Sequence, residues 1–218
     1  MYQAPKSVMN EIATGLLFTF VCSFSFSLHA EVTDPSKIIK NHFWGTLYKN
    51  GGETFYCKKT FKRKGPLLSE SYIYSTSWIR EHLGCGTNRQ CKRESEEYRK
   101  IISDLHNIVP AESYFEFKRK NSIFATLDKS VPIKECGTRK KLHLLEPADD
   151  IKGDIARTLL YMHSTYNLPL VGRLTDLSLW NQKDPPSKAE IARDAAITEI
   201  QGNGNPFVTD PGRVNELQ

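Results

Sequence analysis

An α+β domain, mostly helical with a few short strands and held by disulfides, is the fold class the sequence predicts. Three observations predict it. Residues 154–166 and 187–200 carry apolar side chains at helical spacing, each opening on a residue suited to a helix start. Thr54-Phe55-Tyr56-Cys57 and residues 71–76 have the length and composition of short strands. Four cysteines, Cys57, Cys85, Cys91 and Cys136, follow an N-terminal segment that reads as an export signal.

That segment, residues 1–30, has a weakly basic start at Lys6, an apolar run from Leu16 to Leu28, and Leu28-His29-Ala30 as a cleavage site. The run is about 13 residues, short of the roughly 20 that span a bilayer. The rival reading is an uncleaved N-terminal anchor. Cleavage after Ala30 leaves one domain at 31–208 with a single substantial core, and a loose, flexible C-terminal tail at 209–218. The signal carries one lysine and one glutamate, so the net charge of +5 is unchanged by its removal. This balance is compatible with a nucleic-acid partner without requiring one. An even cysteine count in an exported chain reads as two disulfides with three possible pairings. Cys85–Cys91 with Cys57–Cys136 is the favoured one, because the first pair closes a short glycine-containing loop. Zinc is disfavoured: five residues separate Cys85 from Cys91, wider than a zinc knuckle, and no paired histidines follow at the usual distance.

The elements follow in chain order. Ile38, Ile39, His42, Phe43 and Leu47 predict a helix over 36–48. Asn50-Gly51-Gly52 is a turn, Thr54–Cys57 a strand, and Lys58, Lys59, Lys62, Arg63 and Lys64 a basic stretch broken by Gly65-Pro66. Residues 71–76 form a short strand or turn, 78–83 a short helix, and 94–103 a helix with Tyr98, Ile101 and Ile102 on one side. In 112–124, aromatics alternate with charges. That segment reads either as a surface strand with a core face or as a place where Tyr114, Phe115 and Phe117 stack bases beside Lys118, Arg119 and Lys120. Asp154 opens a helix whose stripe is Ile155, Leu159, Met162 and Tyr166, and Pro169 ends it. Ser187 and Glu190 form a capping box for the helix over 187–200, with Ile191, Ala195 and Ile197 to Ile200 on its apolar face. Pattern alone stops at an exported, disulfide-bonded α+β domain.

Several ordered pieces go further. They are Phe43-Trp44-Gly45-Thr46-Leu47-Tyr48, the cysteine loop Leu83 to Lys92, Tyr98-Arg99, Asp104-Leu105-His106-Asn107 and Ile108-Val109-Pro110-Ala111. After these come Gly153-Asp154-Ile155-Ala156-Arg157-Thr158, Tyr166-Asn167-Leu168, Trp180-Asn181 and Gln201 to Val208. In this order, over residues 42–208, they resemble the bacterial endonuclease I family of secreted, metal-dependent, non-specific nucleases. The resemblance implies a mixed α/β fold around a ββα-metal motif and cleavage of DNA, and often RNA, with little sequence preference. It also implies a divalent ion, typically magnesium, held by a glutamate and an asparagine. A histidine beside that glutamate activates water while the ion stabilises charge on the phosphate and leaving oxygen.

Carried over residue by residue, the resemblance places Ser71 where the metal glutamate belongs and Tyr72 where the base belongs. Glu116 falls at the position of the asparagine ligand, with Arg119 and Asn121 at the following arginine and asparagine. A serine hydroxyl is a weak ligand for a hard cation, and a phenol with a reference pKa near 10 is a poor base at neutral pH. Glu116 is the one carboxylate left to hold metal, so binding of magnesium is expected to be weakened or lost. Glu81-His82 is a literal Glu-His pair displaced along the chain, read either as a displaced dyad or as an exposed helix end. His106 is a candidate base whose family counterpart supports packing and hydrogen bonding. Arg157 and Glu146 read as an internal ion pair or cap, and His42, His143 and His163 as surface residues. Arg99, Lys118, Arg119, Lys120 and Asn121 are the candidate nucleic-acid contacts. The resulting expectation is a secreted or periplasmic monomer of endonuclease I fold, free of the membrane once its signal is cleaved. It binds DNA or RNA without sequence preference as a pseudonuclease with lost or weak cleavage. The alternative is an active magnesium-dependent endonuclease that uses Glu116 with Glu81 and His82.

Overall fold

In a computed structural model of the chain, Met1, Gln3 and residues 34–217 are described. The expected export signal therefore lies outside the described residues, apart from its first and third. The Asp34 carboxylate caps the Ser36 amide at 2.9 Å and starts α1 (Pro35–Lys37), which runs on as a π-helix, Ile38–Leu47. The expected helix over 36–48 thus forms with a wider turn: the Tyr48 amide reaches back five residues to the Phe43 carbonyl at 3.1 Å. Phe43 and Trp44 are its buried residues.

β1 (Gly52–Glu53) and β2 (Thr60–Phe61) pair antiparallel. The run Thr54–Cys57, expected as a strand, is the turn between them. The Lys58 amide closes onto the Thr54 carbonyl at 2.9 Å with Lys58 at φ +52°. A strand there would carry the chain away before β2 could return to β1. β3 (Leu68–Tyr72) starts earlier than the strand or turn expected over 71–76 and ends at the second residue of that segment. α2 (Thr76–Leu83) is capped by the Ser75 hydroxyl and ends at Gly84, whose φ of +59° is costly for any residue with a Cβ. The helix expected over 94–103 forms as α4 (Glu96–Ile102), whose Tyr98 amide is capped by the Ser95 hydroxyl at 3.1 Å, and a further helix, α3 (Asn88–Glu94), precedes it.

β4 (Ile108–Glu112) runs directly into α5 (Ser113–Arg119), so the ambiguous segment 112–124 is a helix followed by β5 (Ile123–Phe124). β5 pairs parallel with β7 (Leu144–Glu146), and β6 (Arg139–Lys141) pairs antiparallel with β7. α6 (Lys152–Tyr166) buries Ile155, Leu159 and Met162 completely, each worth about 1.5–3 kcal/mol of transfer from water. It packs closely on α7 (Leu174–Lys183). A Cβ on Gly153 would stand 1.9 Å from the Asp184 carbonyl oxygen, so only glycine fits at that crossing.

α8 (Lys188–Gln201) is capped by Ser187, which accepts from the Glu190 amide at 3.1 Å. The other half of the expected capping box is absent, because the Glu190 carboxylate is drawn to Arg157. Its apolar face is also narrower than expected: Ile197 is buried, whereas Ile191 and Ala195 are exposed. Past α9 (Pro206–Thr209), the residues read as a loose tail form a 3-10 helix, Pro211–Leu217, with Val214 buried.

Two clusters of buried side chains support these elements. The larger joins Ile73, Ile79, Ile101, Phe115, Phe124 and the inner face of α6, and the smaller joins Phe43, Trp44, Leu105, Ile108 and Ile197. The disulfides are Cys57–Cys136 and Cys85–Cys91. The first ties the β1–β2 turn to the segment before β6.

Candidate functional site

β3 and β4 pair antiparallel with Ser71 opposite Val109 and Tyr72 opposite Ile108, and α5 leaves the end of β4. This two-strand, one-helix unit brings together residues 45 positions apart: the Ser71 hydroxyl donates to the Glu116 carboxylate at 2.5 Å. Arg119, one turn further along α5, completes the group. Its Nε and Nη2 donate to the two Glu116 oxygens at 3.0 Å each, and Nη2 also reaches the Tyr72 carbonyl at 2.8 Å. The guanidinium lies between the rings of Tyr56 and Phe124, 5.7 and 5.6 Å from their centroids. Only 2% of Arg119 is exposed. Tyr56 stacks on Phe115 and brings its hydroxyl to 3.4 Å from the Ser71 hydroxyl. Burial pushes that phenol up to about 12, with Arg119 opposing and Glu116 reinforcing the shift.

The oxygens gathered here are one carboxylate, two hydroxyls and a backbone carbonyl, and a monovalent cation of the protein's own already lies among them. A second, divalent cation would have to displace Arg119 from both Glu116 oxygens and find further hard ligands. The donor set does not fit magnesium. Among the described residues no three of His, Cys, Asp or Glu converge elsewhere in a metal-binding arrangement. Tyr72 donates its hydroxyl to the Ile102 carbonyl at 3.2 Å. Burial, reinforced by Glu70, raises its pKa above the ordinary phenol range, so it holds its proton at neutral pH and cannot serve as a base.

The remaining candidates are spread over the surface and core. Glu81 and His82 are exposed at the end of α2, and no hydrogen bond or ion pair among the described residues joins them to the Ser71–Glu116 group. His106 is buried, with Nε2 donating to the Asn203 carbonyl at 2.9 Å and its ring edge-on to Tyr161. Burial holds its pKa below the usual histidine range. Next to it, the buried Asp104 carboxylate accepts from the Tyr161 and Tyr166 hydroxyls at 2.5 and 2.6 Å and from the Gln201 amide at 2.9 Å. Asn107 exchanges hydrogen bonds with the Tyr74 backbone at 2.7 and 3.0 Å. Asp104, Leu105 and His106 are thereby tied to Gln201 and Asn203, far downstream in the chain.

Of the candidate nucleic-acid contacts, Arg119 turns inward, and Arg99 donates to the Lys92 and Arg93 carbonyls at the end of α3. Lys118, Lys120 and Asn121 are exposed, although Lys118 pairs with Glu135 at 2.9 Å and Asn121 accepts from the Ser75 hydroxyl at 2.7 Å.

Arg157 and Glu146 are not joined to each other. Glu146 pairs with Lys152 at 2.6 Å, and Arg157 pairs with Glu190 at 2.8 and 2.6 Å. Arg157 also donates to the Asn181 side chain and the Asp184 carbonyl at 3.1 and 2.7 Å. Beside it Asp154 is pushed up to about 7, chiefly by burial and then by Glu190. A cleft of about 730 Å³ opens here, lined by Lys58, Asp154, Glu190, Arg193 and Asp194. In the sequence, Asp154 stands out only as a helix start and Tyr56 only as part of an expected strand. Neither has a local signal, because each depends on neighbours distant in the chain.

The sequence model described as Endonuclease I matches residues 32–212. "Endonuclease-1" of Buchnera aphidicola subsp. Acyrthosiphon pisum is 34% identical over 127 residues, covering 56% of this chain and 50% of that protein. "Periplasmic deoxyribonuclease" of Aeromonas hydrophila is 29% identical over 192 residues, 74% of this chain and 80% of that protein. "Extracellular ribonuclease" of Bacillus amyloliquefaciens is 31% identical over 134 residues, 53% of this chain and 46% of that protein. The match with the Buchnera protein thus spans only about half of that relative's length.

Proposed function

The chain belongs to the endonuclease I family, and from that premise we propose that it is an exported nucleic-acid-binding protein of nuclease fold whose metal-dependent cleavage is lost or weak. One observation carries this reading: the carboxylate at the metal-ligand position, Glu116, is held by Arg119 on both oxygens and by Ser71. Tyr72 supports it, since a buried phenol replaces the base that would activate water. The relatives named periplasmic deoxyribonuclease and extracellular ribonuclease support DNA or RNA as the ligand and the periplasm or exterior as the location. Two disulfides suit an oxidising compartment, and no helix among the described residues is long and apolar enough to cross a membrane.

The second reading is a magnesium-dependent nuclease that uses Glu81 and His82, and it is favoured by their exposure as an adjacent pair. Plasmid nicking with magnesium, with manganese and with chelator separates the two. The expected result is retention of DNA in a mobility-shift gel with no nicking above the chelator control. General-base catalysis contributes typically 10²–10⁴-fold, so loss of both metal ligand and base leaves nothing measurable. Changing Ser71→Glu, Tyr72→His and Glu116→Asn together should restore metal-dependent nicking. Magnesium-dependent nicking by the unaltered chain, abolished by Glu81→Ala or His82→Ala, would overturn the proposal in favour of the displaced pair.

A further inference from the structure

α5 carries a surface that the buried Ser71–Glu116–Arg119 group does not account for. α5 turns Phe115 and Arg119 inward and leaves Tyr114 and Phe117 outside, 66% and 68% exposed. These residues are three apart on a helix, so their side chains emerge side by side. Exposing two large aromatic rings next to each other forgoes burial that the core would have rewarded. Each ring has a lysine ammonium over it: Lys118 lies 4.3 Å from the Tyr114 centroid and Lys120 lies 5.2 Å from the Phe117 centroid. Lys140 donates to the Lys118 carbonyl, and Lys120, Lys134 and Arg119 repel it strongly enough to add to the lowering that burial imposes on its pKa. Of the nearby carboxylates, Glu135 is paired with Lys118 and Glu116 with Arg119, so the surplus positive charge belongs to Lys120, Lys134 and Lys140.

We propose that Tyr114 and Phe117 form a stacking platform for two unpaired bases of a single-stranded nucleic acid, with Lys120 and Lys140 on its phosphates. The proposal rests on the nucleic-acid reading above and narrows it to one strand form. The chemistry favours that form. In a duplex both faces of each base are already covered by neighbours, and two rings projecting from a convex helix have no way between them. An unpaired base offers a free π face to any aromatic ring, regardless of sequence. The surrounding ammonium groups match a phosphate chain, and a purely apolar protein partner would leave them desolvated and unpaired.

Fluorescence anisotropy of the full chain with mixed-sequence oligonucleotides of about 12 nucleotides, single-stranded and as the matched duplex, tests this. Each should be titrated from roughly 50 to 200 mM salt. The single strand should bind more tightly. Tyr114→Ala and Phe117→Ala should each weaken it by about fivefold to a hundredfold, the range of one lost base stack. The salt slope should stay unchanged in both, whereas Lys120→Gln with Lys140→Gln should flatten it. Tyr114→Phe should bind as the unaltered chain does, because stacking needs the ring and not the hydroxyl. Nucleic-acid binding that survives both alanine changes would overturn the platform and leave the broader reading intact. Absence of binding to either strand form would overturn both. A dimer in sedimentation that both alanine changes dissolve, with strand affinity unmoved, would assign the patch to a second copy of the chain and overturn the proposal.

Discussion

Arg119 and Arg157 are the two buried arginines among the described residues, and they are buried for different reasons. Arg157 is held from outside its own helix: its partners are the Glu190 carboxylate on α8 and the Asn181 side chain and Asp184 carbonyl at the end of α7. Both terminal nitrogens and Nε are used, and three helices converge on one side chain. Arg119 instead takes its carboxylate from its own helix, three residues back, and its Nη1 has no hydrogen-bond partner among the described residues. Glu190 is 10% exposed at its side chain, and Glu116 is 26% exposed. One arginine is a tie between helices. The other holds a carboxylate of its own helix against Ser71 and the Tyr72 carbonyl. Burial and a short ion pair look alike at both places, and only the origin of the partners tells them apart.

Replacing each arginine by methionine tests that difference. At Arg157 the change leaves Glu190 charged and enclosed, and a broken buried pair costs about 3–5 kcal/mol. Denaturant unfolding should show a loss of that size. A loss under about 1 kcal/mol would mean that the cluster is hydrated and ties nothing together.

Asp154 sharpens the same side of the comparison. Burial, and after it the Glu190 and Asp184 carboxylates, raise the pKa of Asp154 from 3.8 to about 7 against the opposing charges of Arg157 and Lys58. A raised carboxyl pKa means that the folded state holds the proton more tightly than the unfolded chain. Stability is therefore highest below the unfolded value and is lost as pH rises from about 4 to about 7. Asp154→Asn should stabilise the protein at pH ~8 by on the order of 1–3 kcal/mol. The gain should fade toward pH ~4, measured as thermal midpoints of both proteins across the range. A gain independent of pH would place its source elsewhere, for instance in altered helix capping.

The smallest effect belongs to Arg119→Met. Glu116 is exposed enough to regain water, and a methionine fills the space between Tyr56 and Phe124. The loss should be about 1–2 kcal/mol, below that of a fully buried charged partner. A loss as large as at Arg157 would make Arg119 a tie of the same kind, and its hold on Glu116 a by-product of stability.

Much of the fold was legible in local pattern. The stripe of α6, the Ser187 cap of α8, the short helix before Gly84 and the two cysteine pairs all depend on neighbours within a few residues, or on redox compartment and loop closure. The misreadings have one cause. Thr54–Cys57 has strand composition, yet the return of β2 to β1 makes it a turn. Ser187 and Glu190 have capping-box spacing, yet the Glu190 carboxylate gains more from a buried guanidinium 33 residues away than from a backbone amide beside it. A short-range preference worth about 1 kcal/mol yields when a long-range charge would otherwise be buried unpaired.

The site divides in the same way. The sequence alone determined that a serine, a tyrosine and a glutamate stand at Ser71, Tyr72 and Glu116, and therefore which ligands and bases are available: a hydroxyl, a phenol and one carboxylate. It determined the net charge and the run of aromatics and cations from Tyr114 to Lys120. Tertiary structure alone decided how these residues are used. It set Ser71 against Glu116 across the β3–β4–α5 unit, sent Arg119 inward between two rings and Lys118 and Lys120 outward, and placed Tyr56 over the group from a turn far upstream. The physical reason is that an ionisable side chain's role is set by its solvation and its nearest opposite charge, and both are properties of residues that the chain brings together only when it folds.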